Sequence, residues 1–258
     1  VAQAFTDYEW IVIDGGSTDG SRELIEQYQD RFAYWCSEPD KGIYNAMNKG
    51  IAHAKGEWLQ FLNSGDWLYE NTTLEKVFSK EYDADVLYGD ASCPTSDGFS
   101  IWKSPIDITI SFLYEYAICH QSMFFRQKIF EIHRYDESNK ICSDWAFYYK
   151  LALENYVMQY IPLIVSTIEG NGISEKQINY ATYERQKFLE ENTPFHLRKD
   201  MSKLCAARKQ EQFIKSHKTY RLIISIAKFK IITAHKIISF IESIRLFFKT
   251  HSGSHHNA

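Results

Sequence analysis

Three short apolar runs early in the chain each break off at acidic or small polar residues, and helix-period stretches separate them. Glu9-Trp10-Ile11-Val12-Ile13-Asp14 stops at Gly15-Gly16, and Phe32-Ala33-Tyr34-Trp35-Cys36 stops at Ser37-Glu38-Pro39-Asp40-Lys41-Gly42. Glu57-Trp58-Leu59-Gln60-Phe61-Leu62 stops at Asn63-Ser64-Gly65-Asp66. Short β-branched or aromatic runs bounded by Gly and Asp read as buried strands. Between them Leu24, Ile25 and Tyr28 share one helical face, as do Ile43, Ala46, Met47, Gly50, Ile51 and Ala54. Strand, helix, strand, helix, strand predicts an α/β fold with a mixed, mainly parallel sheet flanked by helices. Ligands of such sheets gather at the carboxyl ends of the strands, and all three polar loops fall at that edge.

Further along, residues 85–90 predict a fourth strand and 98–102 a short antiparallel one. Residues 117–125 and 157–168 predict further sheet elements around a helix over 144–154. The stretch 175–212 is polar and helical. A length of 258 residues holds one large domain or one and a half, and 45% hydrophobic residues with a net charge of −4 exclude a disordered chain. Five cysteines without a C-x-x-C pair exclude a disulfide framework or a zinc ribbon and fit a reducing compartment.

The small net charge hides an asymmetry. Residues 1–200 carry 18 Lys and Arg against 31 Asp and Glu, a net of −13, whereas residues 201–258 carry 11 against 2, a net of +9. An acidic body joined to a basic tail asks for an anionic partner at the tail.

Carboxylates at the carboxyl edge of a parallel sheet do one of two things besides capping turns. They accept hydrogen bonds from a nucleotide, or they hold a hard divalent cation, Mg2+ or Mn2+, against a diphosphate. Asp14, Asp19, Asp40 and Asp66 are the candidates, and their spacing alone specifies no more than a nucleotide or metal site. Trp102, Tyr116 and Trp145 are candidates for stacking on a sugar ring. For any single strand-end Asp the bland alternative is a turn or helix cap, and for a lone His it is a satisfied core residue.

Ile13-Asp14-Gly15-Gly16-Ser17-Thr18-Asp19-Gly20-Ser21, with residues 37–50 and 56–66 following in order, resembles the family-2 glycosyltransferases of the GT-A fold. The resemblance covers residues 1–175 and is nearest to bacterial enzymes of exopolysaccharide and lipopolysaccharide synthesis. It implies an inverting, metal-dependent transfer of a hexose from a nucleotide diphosphate sugar, a UDP-sugar, to a glycan or lipid-linked acceptor. Position by position, it implies that Asp14, Ser17, Asp19, Asp40 and Lys41 form the donor-nucleotide loops and that Asp66 holds the cation. Gly65 departs from the pattern, since many members carry a second Asp there. Ser143-Asp144-Trp145 resembles the motif that carries the general base, which assigns that role to Asp144. His120 and Gln121 resemble a His-Gln segment on the acceptor or diphosphate side, where Trp145 is also expected. Members open with a strand and a helix ahead of the Asp14 block, so the resemblance implies that the catalytic body over 1–175 lacks its first βα unit, one of about 30 residues. Its domains are then a catalytic body over 1–175, a helical connector over 176–212 and a tail over 213–258.

In that tail Ile223, Ile226, Ile231, Ile237, Ile238, Ile241, Ile244 and Phe248 recur at helical spacing among Lys and Arg. A basic amphipathic helix over 213–249 reads as lying in the interface of an anionic membrane, which predicts a cytoplasmic protein peripheral on the inner face of the plasma membrane. Packing on the body or on a partner is the alternative. Nucleic acid is disfavoured, because the acidic body would repel it. Two other functions stay open on the sequence: a non-catalytic nucleotide- or glycan-binding fragment, and a sugar-nucleotide nucleotidylyltransferase.

Overall fold

The computed structural model describes residues 3–170 and 172–216. Most of the expected basic helix over 213–249 therefore lies outside the described residues. In chain order the elements are β1 (Ile11–Asp14), α1 (Ser21–Gln27), β2 (Tyr34–Ser37), α2 (Ile43–His53), β3 (Trp58–Leu59), β4 (Trp67–Leu68), α3 (Thr73–Val77), β5 (Val86–Thr95) and β6 (Gly98–Trp102). They continue with α4 (Ile110–Glu115), β7 (Met123–Arg126), α5 (Ile129–Ile132), α6 (Ser143–Leu153), β8 (Met158–Thr167), α7 (Ile173–Lys176), α8 (Ile178–Asn192) and α9 (Phe195–Ser216). The chain divides into two compact units, Val1–Met201 and Ser202–Ala258, and α8 belongs to the first.

The strands form a parallel pair, β1 with β2, and a mixed sheet in the order β3-β7-β5-β8-β4 with β6 on β5. The expected third strand is present as β3, but among the described residues it joins the mixed sheet rather than the β1–β2 pair. It pairs antiparallel with β7, Trp58 opposite Arg126 and Leu59 opposite Phe125. The order of elements along a chain does not fix which strands become neighbours. Here the apolar run Met123-Phe124-Phe125, buried on both faces, inserts between β3 and β5. For the same reason antiparallel pairings outnumber the parallel ones, β1–β2 and β5–β8, among the described strands.

Alternation along the central strands divides the core. Val86, Tyr88, Met123 and Phe125 face a cluster built with Tyr44, Met47 and Ile51 of α2 and the aromatic residues of α6. Leu87 and Phe124 point the other way, to Leu74 and Val77 of α3. Side chains of a strand point alternately to opposite faces, so an unbroken apolar run demands cover on both. Helix α6 is wrapped on nearly every side: Trp145, Ala146, Phe147, Tyr148, Tyr149 and Leu151 are all buried. A helix held so completely fixes the position of its first turn, and that turn carries Asp144.

Candidate active site

The first loop follows from strand register. Parallel pairing sets Asp14 opposite Ser37 at the carboxyl ends of β1 and β2. Asp14 Oδ2 accepts from Ser37 Oγ at 2.6 Å, from Gly16 N at 3.2 Å and from Ser17 N at 3.0 Å, while Oδ1 accepts from Ser17 Oγ at 2.5 Å. These donors, the Ser17 hydroxyl foremost, hold the Asp14 carboxyl below its ordinary value. Asp40 closes the same corner. Its Oδ1 accepts from Gly42 N at 2.8 Å at the start of α2, and its Oδ2 lies 2.7 Å from where a Cβ on Gly15 would stand. A side chain at position 15 would displace the Asp40 carboxylate from this corner. Asp19, by contrast, accepts from Ser21 N at 3.1 Å, the turn-capping arrangement open to any Asp before a helix. Lys41 is exposed in the Asp40 loop, its amide donating to Asn45 Oδ1 at 3.3 Å.

In the first turn of α2, Tyr44 reaches across to α6. Its hydroxyl lies 2.5 Å from the Ile141 carbonyl oxygen and 2.9 Å from Asp144 Oδ1, two acceptors sharing one proton. Burial, and then the Asp144 charge, push the Tyr44 hydroxyl far up, so it stays a donor. The other oxygen of Asp144, Oδ2, stands 3.5 Å from Nδ1 of His120. Asp144 is thus oriented from two sides and is not the side-chain cap of α6, whose N-cap is Cys142. Its side chain keeps 27% exposure, enough to meet a reactant. His120 is buried at 4% exposure, with Nε2 unpartnered. Burial lowers its pKa against the pull of the Asp144 and Asp66 charges, which keeps it neutral.

Gln121 carries the arrangement on to Asp66. Its Nε2 donates to Asp66 Oδ2 at 2.7 Å, and the Glu169 amide donates to Oδ1 at 3.2 Å. Gly65 sits at φ +89°, a backbone that L side chains rarely adopt, and Glu169 Oε2 occupies the space its Cβ would need. The position that breaks the expected acidic pair is therefore filled by a carboxylate from the loop after β8. Among the described residues no group of three or more His, Cys, Asp or Glu side chains converges as a set of metal ligands. Glu169 reaches Asp66 through its amide, and its carboxylate lies against the neighbouring Gly65.

A corner of carboxylates and serine hydroxyls at the ends of β1 and β2, a carboxylate oriented from two sides and an Asp held by Gln121 thus make up the candidate site. The sequence matches the model of the family Glycosyl transferase family 2 over residues 1–153. The chain belongs to glycosyl transferase family 2. Among its relatives within that family is the PGL/p-HBAD biosynthesis glycosyltransferase of Mycobacterium bovis, 34% identical over 152 residues, which are 56% of this chain and 58% of the relative. The chain thus spans little more than half the length of the mycobacterial enzymes it matches. Glycosyltransferase GlyA of Streptococcus pneumoniae is 25% identical over 158 residues, 59% of this chain and 22% of that protein.

The fold agrees. S. aureus TarS 1-349 in complex with UDP superposes with a TM-score of 0.56 at 19% identity, covering 73% of this chain and 57% of that one. The mannosyltransferase PcManGT of Pyrobaculum calidifontis, in complex with GDP-Man and Mn2+, gives 0.50 at 14% identity, covering 91% of this chain and 79% of that one. This is the GT-A architecture expected of a family-2 member.

Within it, Asp14, Ser17 and Asp40 come together in one corner, and Asp144, His120, Gln121 and Asp66 follow one another as neighbours, with Asp144 beside His120 and Gln121 bonded to Asp66. Trp145 does not join them. It is 2% exposed, its indole donates to the Leu113 carbonyl at 2.9 Å, and Tyr149, Phe188 and Arg185 pack around it. It is a core residue, with no ring face for a sugar. Trp102 and Tyr116 remain exposed. Tyr44 and Glu169 escaped the sequence reading. The signal for Tyr44 was its place among polar residues on one face of α2, since Asn45 and Asn48 beside it bind Glu137 and the Tyr135 backbone. Nothing in the sequence linked Glu169 to Gly65.

Proposed function

We propose that the chain transfers a hexose, with inversion, from a nucleotide diphosphate sugar to a hydroxyl of a glycan or lipid-linked acceptor. The observation that carries this reading is the orientation of Asp144 by Tyr44 and His120, beside the Asp66 pair. As the acceptor oxygen attacks the anomeric carbon, its proton passes to Asp144, and the bond to the diphosphate breaks with its electron pair on the leaving oxygen. Tyr44 keeps one carboxylate oxygen engaged as a fixed acceptor, and the neutral His120 holds the other without neutralising it. The corner of Asp14, Ser17 and Asp40 takes the nucleotide, with Lys41 and Asp19 in the same two loops.

Asp66 and Glu169 would hold the divalent cation, Mn2+ or Mg2+. Their hard oxygen atoms suit such a cation, and the carboxylate lodged against Gly65 restores the missing second acid. When bound, the cation supplies positive charge against the diphosphate. The solved relatives support the donor class, since their complexes contain UDP, UDP-GlcNAc and GDP-Man.

The test is nucleoside diphosphate release from UDP-GlcNAc, UDP-glucose and GDP-mannose with Mn2+, on the wild type and Asp144→Asn. General-base catalysis is worth about 100- to 10,000-fold, so Asp144→Asn is expected to lose at least about 100-fold while still binding donor. Near-normal turnover by Asp144→Asn removes the base assignment. Turnover only with a sugar phosphate and a nucleoside triphosphate would make the chain a nucleotidylyltransferase.

A further inference from the structure

We infer that Glu184, on α8 and outside the 1–153 stretch matched to the family, is the positioning residue that sets the base Asp144. The inference rests on the base reading above. Glu184 is only 4% exposed. Its Oε1 accepts from Lys140 N at 2.6 Å, and its Oε2 from Ile141 N at 2.9 Å and Cys142 N at 3.0 Å. Three successive amides thus converge on one buried carboxylate. A charge buried this deeply is tolerated only when fully hydrogen-bonded, and charge-assisted bonds to amides are the strong kind.

Those amides belong to the segment that runs into α6. Cys142 is the N-cap of that helix, and no side chain of the segment itself caps it. The amides that Glu184 takes precede those of the first helical turn, so it fixes the lead-in to α6 and its N-cap residue rather than capping the turn itself. The same segment faces the base on its other side, because the Ile141 carbonyl and Asp144 Oδ1 share the Tyr44 hydroxyl. Glu184 holds the segment by its N–H groups, and Tyr44 holds it by a carbonyl. A shift of residues 140–142 therefore moves Tyr44 and Asp144 relative to each other. Helix α8 also grips the next residue. The Arg185 guanidinium lies 4.4 Å over the Trp145 ring and reaches the Leu113 and Tyr116 carbonyls at 3.4 Å.

Glu184→Gln tests this role. The amide keeps the shape but offers one acceptor oxygen and turns an NH2 toward N–H donors, so at least one of the three bonds is lost. With a donor sugar nucleotide and Mn2+, kcat is expected to fall about 10- to 100-fold, the scale of a small misplacement of a reacting group. Donor KM should stay within about twofold, because the nucleotide corner is untouched. In the Asp144→Asn background the same change should cost nothing further, whereas a general structural defect would add its own loss. Independently of turnover, the His120 ring resonances should move in Glu184→Gln as they do in Asp144→Asn. An unchanged kcat, an additive loss in the Asp144→Asn background, or unmoved His120 resonances overturns the positioning role. Normal turnover by Asp144→Asn alone would instead locate the failure in the base assignment. Should Glu184→Gln not fold, Glu184→Asp carries the same test, keeping the charge and shortening its reach.

Discussion

At the scale of single residues, charge state decides what the site can do. A proton-accepting Asp144 needs a neutral neighbour, since an imidazolium at 3.5 Å would make the carboxylate a poorer base. Burial supplies that neutrality by lowering the His120 pKa below its ordinary 6.5, and the same effect has a consequence for stability. The folded chain holds His120 uncharged, while the unfolded chain takes up a proton as pH falls through 6.5. The stability tied to this residue is therefore complete above 6.5 and shrinks as pH falls toward the lowered folded value. The thermal midpoint of the wild type is expected to drop more between about pH 7.5 and 5.5 than that of His120→Gln. Equal drops would show that His120 does not stay neutral in the folded protein. At this scale the sequence named the residues and not their surroundings. The structure brings Asp144 to His120 and Gln121 to Asp66, yet nothing in Ser143-Asp144-Trp145 says that the acid stays partly exposed and the tryptophan is buried. That difference is set by α8, whose Arg185 and Phe188 cover the indole.

At the scale of elements, local order was legible and pairing was not. The strands β1, β2 and β5 and the helices α2 and α6 lie within a residue or two of where apolar spacing put them, except that β5 continues to Thr95. The partner of β3 depends on a run more than 60 residues further along the sequence, which no local pattern encodes. The acidic pair shows the same division. Position 65 is glycine because its backbone lies at φ +89° and because Glu169 takes its side-chain space. A carboxylate from the loop after β8 thus lies against the position where the resemblance expected a second acid. Glu169→Gln is therefore expected to weaken Mn2+ binding about tenfold, read by Mn2+ paramagnetic resonance in titrations of the metal alone, with Asp66→Asn losing more. Gly65→Asp in a Glu169→Ala background should recover part of that affinity, since Asp tolerates positive φ better than most residues. Undiminished Mn2+ affinity in Glu169→Gln would remove Glu169 from the cation site.

At the scale of the whole molecule, the charge division needs a physical use. An acidic body that binds an anionic nucleotide must meet that charge locally, through amides, hydroxyls and a cation, because its overall field repels the ligand. The basic stretch from 201 onward, +9 against −13, cannot serve both that purpose and a lipid surface at once. Among the described residues no helix is long and apolar enough to cross a membrane. Each basic residue near an anionic surface contributes about 1 kcal/mol, and the effect fades with salt. Full-length protein is therefore expected to float with vesicles containing phosphatidylglycerol and to stay behind with phosphatidylcholine alone. Reversing Lys228, Lys230 and Lys236 to Glu in one variant should abolish flotation and leave nucleoside diphosphate release from a soluble donor unchanged. Flotation that survives the reversal would mean that apolar contact, not charge, attaches the chain. A wild type that never floats would return the stripe of Ile223, Ile226 and Ile231 to packing on protein. The comparison also bears on the acceptor. If lipid-linked acceptors are turned over faster on anionic vesicles than in detergent, and the reversed variant loses that difference, then the tail acts by holding the body where its acceptor lies.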